Sequence, residues 1–330
     1  MAAPIEVSGS DKEAQPESVL AGVDRKKIQG RSLGQIAWMR LKRDKIALTG
    51  AVVVILLILI AIFGPYFVQD PLKYHQNLID PTYNRPKSGF WHSGISGEHW
   101  LGVEPGTGRD MLARIVHGAR ISLLVSFLAT LMSVVIGTVL GITAGYFGGW
   151  VDYIISRAMD AFLAFPLLLF AIALVGVVAD GAFGMSGNGL RVSVLVVVIG
   201  FFNWPYIGRI IRGQTLSLRE REFVDAARSM GARNGYVLFK EVLPNLVAPI
   251  LVYSTLLIPT NILFEAALSF LGVGVIPPTP SWGGMLTLAV PIYESDPMYM
   301  IIPGMAIFLT VLAFNLFGDG LRDALDPRSK

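Results

Sequence analysis

The chain has 330 residues, of which 53% are hydrophobic and 15% charged, and its mean hydropathy is +0.58. Soluble domains carry about 25% charged residues, so this composition is that of a polytopic membrane protein. The absence of Cys excludes disulfide frameworks, iron–sulfur clusters and thiol catalysis, and a formal charge of +3 is too small for a nucleic-acid footprint.

Residues 1–45 read as a polar cytoplasmic tail. They include the basic triplet Arg25, Lys26 and Lys27 and no apolar stretch like a signal peptide. Over Gln35–Lys45, Ile36, Trp38, Met39 and Leu41 alternate with Arg40, Lys42, Arg43 and Lys45, which predicts a short amphipathic helix at the membrane surface. Six apolar segments then approach the roughly 20 residues that a helix needs to cross a bilayer. They are Ile46–Phe67, Ile121–Tyr146, Ala158–Ala179, Val192–Gly208, Leu246–Val275 and Met298–Gly318. Within them, Asp160 stands near one end of the third, where it reads as a wet interfacial residue, and Glu265 lies deep in the fifth.

Most of the 27 Lys and Arg fall before the first span, between Arg209 and Lys240, or after the last span, which predicts both termini in the cytoplasm. Lys73, Arg85, Lys87, Arg109, Arg114 and Arg120 are exceptions that sit in or at the end of one long external loop, and long loops obey the rule weakly. In that loop Met111, Leu112, Ile115 and Val116 repeat at helical spacing over 108–118. This fits an interfacial helix before the second span or a surface helix packed on its own subunit. Pro277–Ser295 is too broken by Pro and Gly to span, and is expected to fold back into the outer mouth.

The segment between the fourth and fifth spans, LSLREREFVDAARSMGARNGYVLFKEVLPN, is charged yet helical in pattern. Arg219–Met230 reads as one helix, Gly231 as its left-handed stop, and Asn234–Val242 as a second helix ending before Pro244. Small Ala226 and Ala227 would let a partner's backbone approach, with Glu222, Asp225 and Arg228 fixing register.

The string DAARSMG, followed at Leu243 and Pro244 by Leu-Pro, resembles the coupling loop of ATP-binding-cassette (ABC) importer permeases. That pattern is Glu-Ala-Ala, three residues, Gly, nine residues, Ile, one residue, Leu-Pro. Asp225 stands for the usual Glu, and Glu241 occupies the Ile position. RLKRDKIALTGAVVVILLILIAIFGP, GRDMLARIVHGARISLL, GITAGYFGGWVD, ALSFLGVGVIPPTPSWGGML and LAFNLFGDGLRDALDP are similar to the C-type permease subunit of dipeptide and oligopeptide importers. The likeness runs from about Gln35 to the C-terminus.

The resemblance implies an all-α integral membrane protein with six transmembrane helices in the type I ABC importer permease fold. It divides the chain into a tail with the basic interfacial helix at 1–45, a first transmembrane helix at 46–68, an external loop at 69–120, a five-helix core at 121–320 with its coupling loop at 213–245, and a C-terminal tail at 321–330. It implies a bacterial inner-membrane assembly with a second homologous permease subunit, two ABC ATPase subunits and an external substrate-binding protein. The substrate would be a di- or oligopeptide. Glu222, Asp225, Ala226, Ala227, Gly231, Leu243 and Pro244 would contact the ATPases. The sequence has no Gly-Lys dipeptide and hence no phosphate-cradling loop, so ATP and Mg would be bound by the partner ATPases and this chain would be non-catalytic.

Alternatives on the same scaffold are import of nickel chelates, oligosaccharides or antibiotics. From another class comes an ATP-independent secondary transporter, against which the near-absence of intramembrane charge argues. Glu265 reads as a structural hydrogen bond to a neighbouring helix, a proton relay or a contact for a peptide amine. His75, His92, His99 and His117 raise a metal site, but their spacing puts no two on adjacent helical turns. Pro249, Pro259 and Pro303 read as flexible bends or as fixed kinks. The run Gly137, Gly141, Gly145 predicts close helix packing.

Overall fold

The computed structural model describes residues 33–89, 93–178 and 184–326. The basic triplet at 25–27, most of the predicted tail and His92 lie outside them. Helix α1 (Leu33–Leu41) is shorter than the amphipathic helix expected over 35–45. The reason is Asp44, whose carboxylate accepts from the backbone N–H of Ile46 and Ala47 at 2.9 and 3.1 Å and so starts a new helix, α2 (Lys45–Phe63). A loop follows, pinned by a two-residue antiparallel pair, β1 (Ile79–Asp80) with β2 (Arg85–Pro86), in register Ile79↔Pro86.

Helix α3 (Met111–Phe147) runs unbroken for 37 residues. The separate interfacial helix expected before the second span is therefore its first turns, started by Asp110, whose side chain accepts from Ala113 N–H at 2.7 Å. Met111 is buried against Met285, Ala289 and Tyr299 of the same chain, which favours the second of the two readings, packing on its own subunit.

The apolar segment predicted as one third span is two helices, α4 (Gly149–Ala164) and α5 (Leu167–Val178), bent by 78° where they meet. Pro166 causes the break. The pyrrolidine ring disfavours helical geometry in the residue before it, and Phe165 is extended at φ −84°, ψ 129°. In the elbow of this bend Phe162, Phe165, Phe170, Leu174, Phe201 and Phe202 line an apolar cavity of about 370 Å³.

Helix α6 (Gly187–Arg219) leads into α7 (Glu222–Ser229) and α8 (Asn234–Tyr236). The expected single helix over 219–230 is interrupted at Glu220 and Arg221. The second helix does not stop before Pro244 as expected: a π-helical stretch, Val237–Val242, carries it straight into α9 (Leu243–Phe270). Proline supplies no N–H to the ladder, and the wider i→i+5 pairing, with Leu243 N–H on Leu238 O, passes the chain over that gap. Helix α10 (Trp282–Ala289) is the folded-back segment, and Trp282 donates from its indole to Ile115 O at 3.0 Å. Helix α11 (Met298–Leu325) takes in the first five residues of the predicted tail, 321–325.

Among the described residues five helical stretches, Lys45–Tyr66, Met111–Phe147, Gly187–Arg219, Asn234–Phe270 and Met298–Leu325, are long and apolar enough to cross a membrane, and the bent α4–α5 pair, taken as one span, makes a sixth. Helices α3 and α6 pack along the glycine run read from the sequence. A Cβ on Gly137 would sit 2.7 Å from Trp204 O, one on Gly141 2.7 Å from Gly208 O, and one on Gly145 2.7 Å from Thr215 Cβ. Ser133 Oγ donates across the same seam to Gly200 O at 2.8 Å.

Candidate functional site

The elbow between α6 and α9 is built around Gly231. It adopts φ +83° just past the end of α7, the left-handed region that a residue without Cβ occupies most easily. Its N–H donates to Arg228 O at 2.9 Å and that of Ala232 to Ala227 O at 3.1 Å, which closes the helix with its last carbonyls satisfied. Glu222 and Asp225 stand in the first turn and Arg228 in the last, the arrangement that complements the helix dipole.

Helix α7 has two unlike faces. Val224 and Ala227 are buried against Val237, Val242 and Leu246, so Ala227 packs on its own chain and is not a free contact surface. Glu222, Asp225 and Ala226 are exposed. Met230, Tyr236 and Phe239 are also exposed, at 82, 53 and 68%. Ala227, Met230, Gly231, Ala232, Arg233, Tyr236 and Glu241 surround a cavity of about 440 Å³. The predicted residues Glu222, Asp225, Ala226, Ala227 and Gly231 thus form one compact feature. Leu243 and Pro244 stand beside it at the start of α9, Leu243 packing into the apolar cluster under the elbow.

Glu265 is elsewhere, 22 residues or about 33 Å further along α9. It is fully buried. Ser269 Oγ donates to its Oε1 at 2.8 Å, Ser122 of α3 lies within reach, and Oε2 makes no hydrogen bond. Among the described residues no basic side chain pairs with it.

Deeper in the spans a ladder of uncharged polar groups ties three helices. Asn203 Nδ2 on α6 donates to Asn261 Oδ1 on α9 at 2.7 Å, Asn261 Nδ2 to Thr130 Oγ1 on α3 at 2.8 Å, and Thr130 Oγ1 to Ser126 O at 2.7 Å, all of them buried. A scan of spans for charge passes over these residues, although two Asn amides in apolar helices are a signal for such pairing.

On the side away from the elbow, Glu104 accepts from Arg109, Thr107 and Tyr299, with Arg114 Nη2 at 3.6 Å. Burial pushes the Glu104 carboxyl up, but the hydrogen bond from Arg109 and the charge of Arg114 outweigh it and hold the group below its usual range. His99 Nδ1 pairs with Asp110 Oδ2 at 2.7 Å, the ring of His75 meets that of His99 edge-on at 4.9 Å, and His117 Nδ1 faces Ala113 O at 2.9 Å. Burial lowers the pKa of His75, with the charges of His99 and Lys73 acting the same way. Among the described residues no three His, Asp or Glu gather as a metal-ligand group.

Comparison with known proteins shows the family and the fold. A family described as "Binding-protein-dependent transport system inner membrane component" matches residues 137–330, and the "N-terminal TM domain of oligopeptide transport permease C" matches residues 32–86. The dipeptide transport system permease protein DppC of Alkalihalophilus pseudofirmus is 42% identical over 294 residues, 89% of this chain and 90% of that protein. The glutathione transport system permease protein GsiD of Escherichia coli O6:K15:H31 is 41% identical over 297 residues, with the same coverage of each chain. A solved chain of the inward-facing MetNI methionine ABC transporter shares the fold at TM-score 0.51 and 18% identity, covering 66% of this chain and 98% of that one.

Proposed function

Since the chain belongs to the binding-protein-dependent transport permeases, the membrane-spanning subunits of ABC importers, we propose that it forms, with a second homologous permease, the pathway for di- and tripeptides and closely related oligopeptides. ATP is hydrolysed on two separate ATPase subunits that dock on the α7 elbow, and an external binding protein delivers the solute. The observation that carries this reading is the water-facing elbow itself. A helix with an exposed acidic edge and a buried apolar underside stands beside an open cavity rimmed by Met230 and Tyr236. Exposed apolar groups of this kind mark a protein interaction site. Support for peptides as cargo comes from the two relatives named for dipeptide and glutathione transport.

The elbow side is assigned to the bacterial cytoplasm. Arg40 of α1 donates to Asp326 O at 2.6 Å, and with Arg322 of α11 it lines one cavity together with Gln214 and Asn245, at the elbow-side ends of α6 and α9. Both described ends of the chain therefore stand on that side, which agrees with the distribution of Lys and Arg along the sequence.

Affinity purification of the tagged permease in mild detergent is expected to recover ATPase subunits. The double charge reversal Glu222→Lys, Asp225→Lys is expected to lose them while the second permease stays bound. Recovery of wild-type complexes without any ATPase subunit, with and without nucleotide, would overturn the docking reading.

Gly231 makes a graded prediction. A methyl group added there would meet no atom within 4 Å, so space does not limit substitution and backbone strain does. Gly231→Val is expected to destabilise the turn by about 1–2 kcal/mol and Gly231→Asn by less, because Asn visits the left-handed region more readily. Peptide uptake should rank wild type, Asn, Ala, Val; equal uptake by Asn and Val variants at matched protein levels would contradict it.

A further inference from the structure

The elbow grips the end of α3 through one side chain to which sequence reading assigns no role. Tyr146 is the last residue but one of α3 and only 5% exposed. Its hydroxyl donates to Asn234 Oδ1 on α8 at 3.0 Å. Arg228, in the last turn of α7, sets its guanidinium over the Tyr146 ring at 4.9 Å from the centroid. These two contacts come from either side of Gly231, one from each helix of the elbow, and converge on the same residue.

The neighbouring backbone is held as well. Arg219, the last residue of α6, donates from Nη1 to Gly145 O at 3.2 Å, and the same nitrogen would lie 2.9 Å from a Cβ on Gly148. Directly after Phe147 the chain turns into α4 through Gly148 and Gly149 at φ +66° and +52°. Asp152, in the first turn of α4, is in turn paired with Arg212 of α6. The α3–α4 corner is thus a two-glycine turn, the conformation that glycine adopts at least cost, clasped by the elbow on one side.

We propose that Tyr146 is the positioning residue that transmits displacement of the docked elbow to the α3–α4 corner, and so to the bent α4–α5 pair. The proposal rests on the reading of the elbow as the ATPase dock. Apolar packing of Val224, Ala227 and Val237 holds the elbow together but has no preferred direction. A hydrogen bond and a cation–ring contact fix both position and angle, and here they bind α7 and α8 to a single point. When the elbow moves as one body, the Tyr146 ring and hydroxyl move with it. The glycine turn next to them is the softest part of the backbone in that corner.

The test uses the complete complex of both permeases, the ATPases and the binding protein in liposomes, with ATP hydrolysis and accumulation of radiolabelled di- and tripeptides measured in the same preparation. Tyr146→Phe removes only the hydroxyl, and Asn234→Ala removes the carboxamide that accepts from it. Each is expected to leave ATP hydrolysis within about twofold of wild type and to lower peptide accumulated per ATP about five- to tenfold, and the Tyr146→Phe, Asn234→Ala double variant should be no worse than either single one. A merely structural role would lower yield and both rates together. Because none of these changes empties the space filled by the ring, the ratio is read on assembled complexes throughout. A wild-type ratio in assembled Tyr146→Phe and Asn234→Ala complexes overturns the proposal. A wild-type complex lacking ATPase subunits overturns instead the docking reading beneath it.

Discussion

Gly141→Leu is expected to abolish recovery of a folded, monodisperse protein from the membrane. The Cβ of any residue there would meet Gly208 O at 2.7 Å and Ile211 Cβ at 3.0 Å, and the first of these is backbone that cannot rotate away. Helices α3 and α6 would have to separate by about an ångström along the seam, breaking the Ser133 to Gly200 bond and the packing of Ile207 and Ile211. Overpacking of this kind costs on the order of 3 kcal/mol or more. Gly141→Ala should show part of the same loss. Gly189→Leu serves as the control, because a Cβ there meets nothing within 4 Å. Detergent size-exclusion profiles and thermal midpoints of the three variants decide the matter. A Gly141→Leu protein as stable as the Gly189→Leu protein would show that the two helices are not in backbone contact.

Glu104→Gln should be nearly as damaging, for an electrostatic reason. Glu104, Arg109 and Arg114 are 2, 5 and 1% exposed, and the single carboxylate faces both guanidinium groups. Removing its charge leaves two buried cations without an anionic partner among the described residues, which costs about 3–5 kcal/mol and lowers the thermal midpoint by roughly 10 °C. The same carboxylate predicts a pH dependence. Its pKa is lower in the folded protein than in the unfolded chain, so its contribution is complete above the ordinary carboxylate value of about 4.3 and is lost as pH falls through the depressed value. Thermal scans from pH 7 downward should therefore show a steeper acid loss for wild type than for Glu104→Gln. Parallel curves would remove Glu104 from the account of acid lability.

The two sites differ in how far the sequence discloses them. Gly137, Gly141 and Gly145 recur every four residues in an apolar stretch, and one helix face of small residues has few purposes other than close approach, so the seam is legible without its partner. Glu104, Arg109 and Arg114 read as charges of an exposed loop, because nothing local tells a loop charge that faces water from one folded against Tyr299, 195 residues away. The elbow is legible for another reason: its motif is a matter of spacing, and Gly231 adopts the positive φ that its place in the motif requires. Its end is not, since Pro244 signals a stop by the usual rule, whereas a π-helical turn takes up the missing donor.

The break at Phe165–Pro166 is visible as a proline within an apolar run, and the length of the run masks it. Ala226 and Ala227 look equivalent in the sequence. Helical geometry places them 100° apart, and only the packing of Val224 and Ala227 on Val237 decides which one faces outward. Tyr146 lies beyond sequence reading altogether, because its partners Asn234 and Arg228 are more than 80 residues away along the chain.

The glycine seam also limits which parts of the molecule can be in motion during a transport cycle. Two helices in contact at main-chain distance have no clearance for sliding: a shift of one along the other would drive carbonyls such as Trp204 O and Gly208 O into the opposing backbone. Helices α3 and α6 therefore form one closely packed strut. At the edges of this strut stand the Gly148–Gly149 turn and the Phe165–Pro166 bend, the places where the backbone is already turned away from the helix.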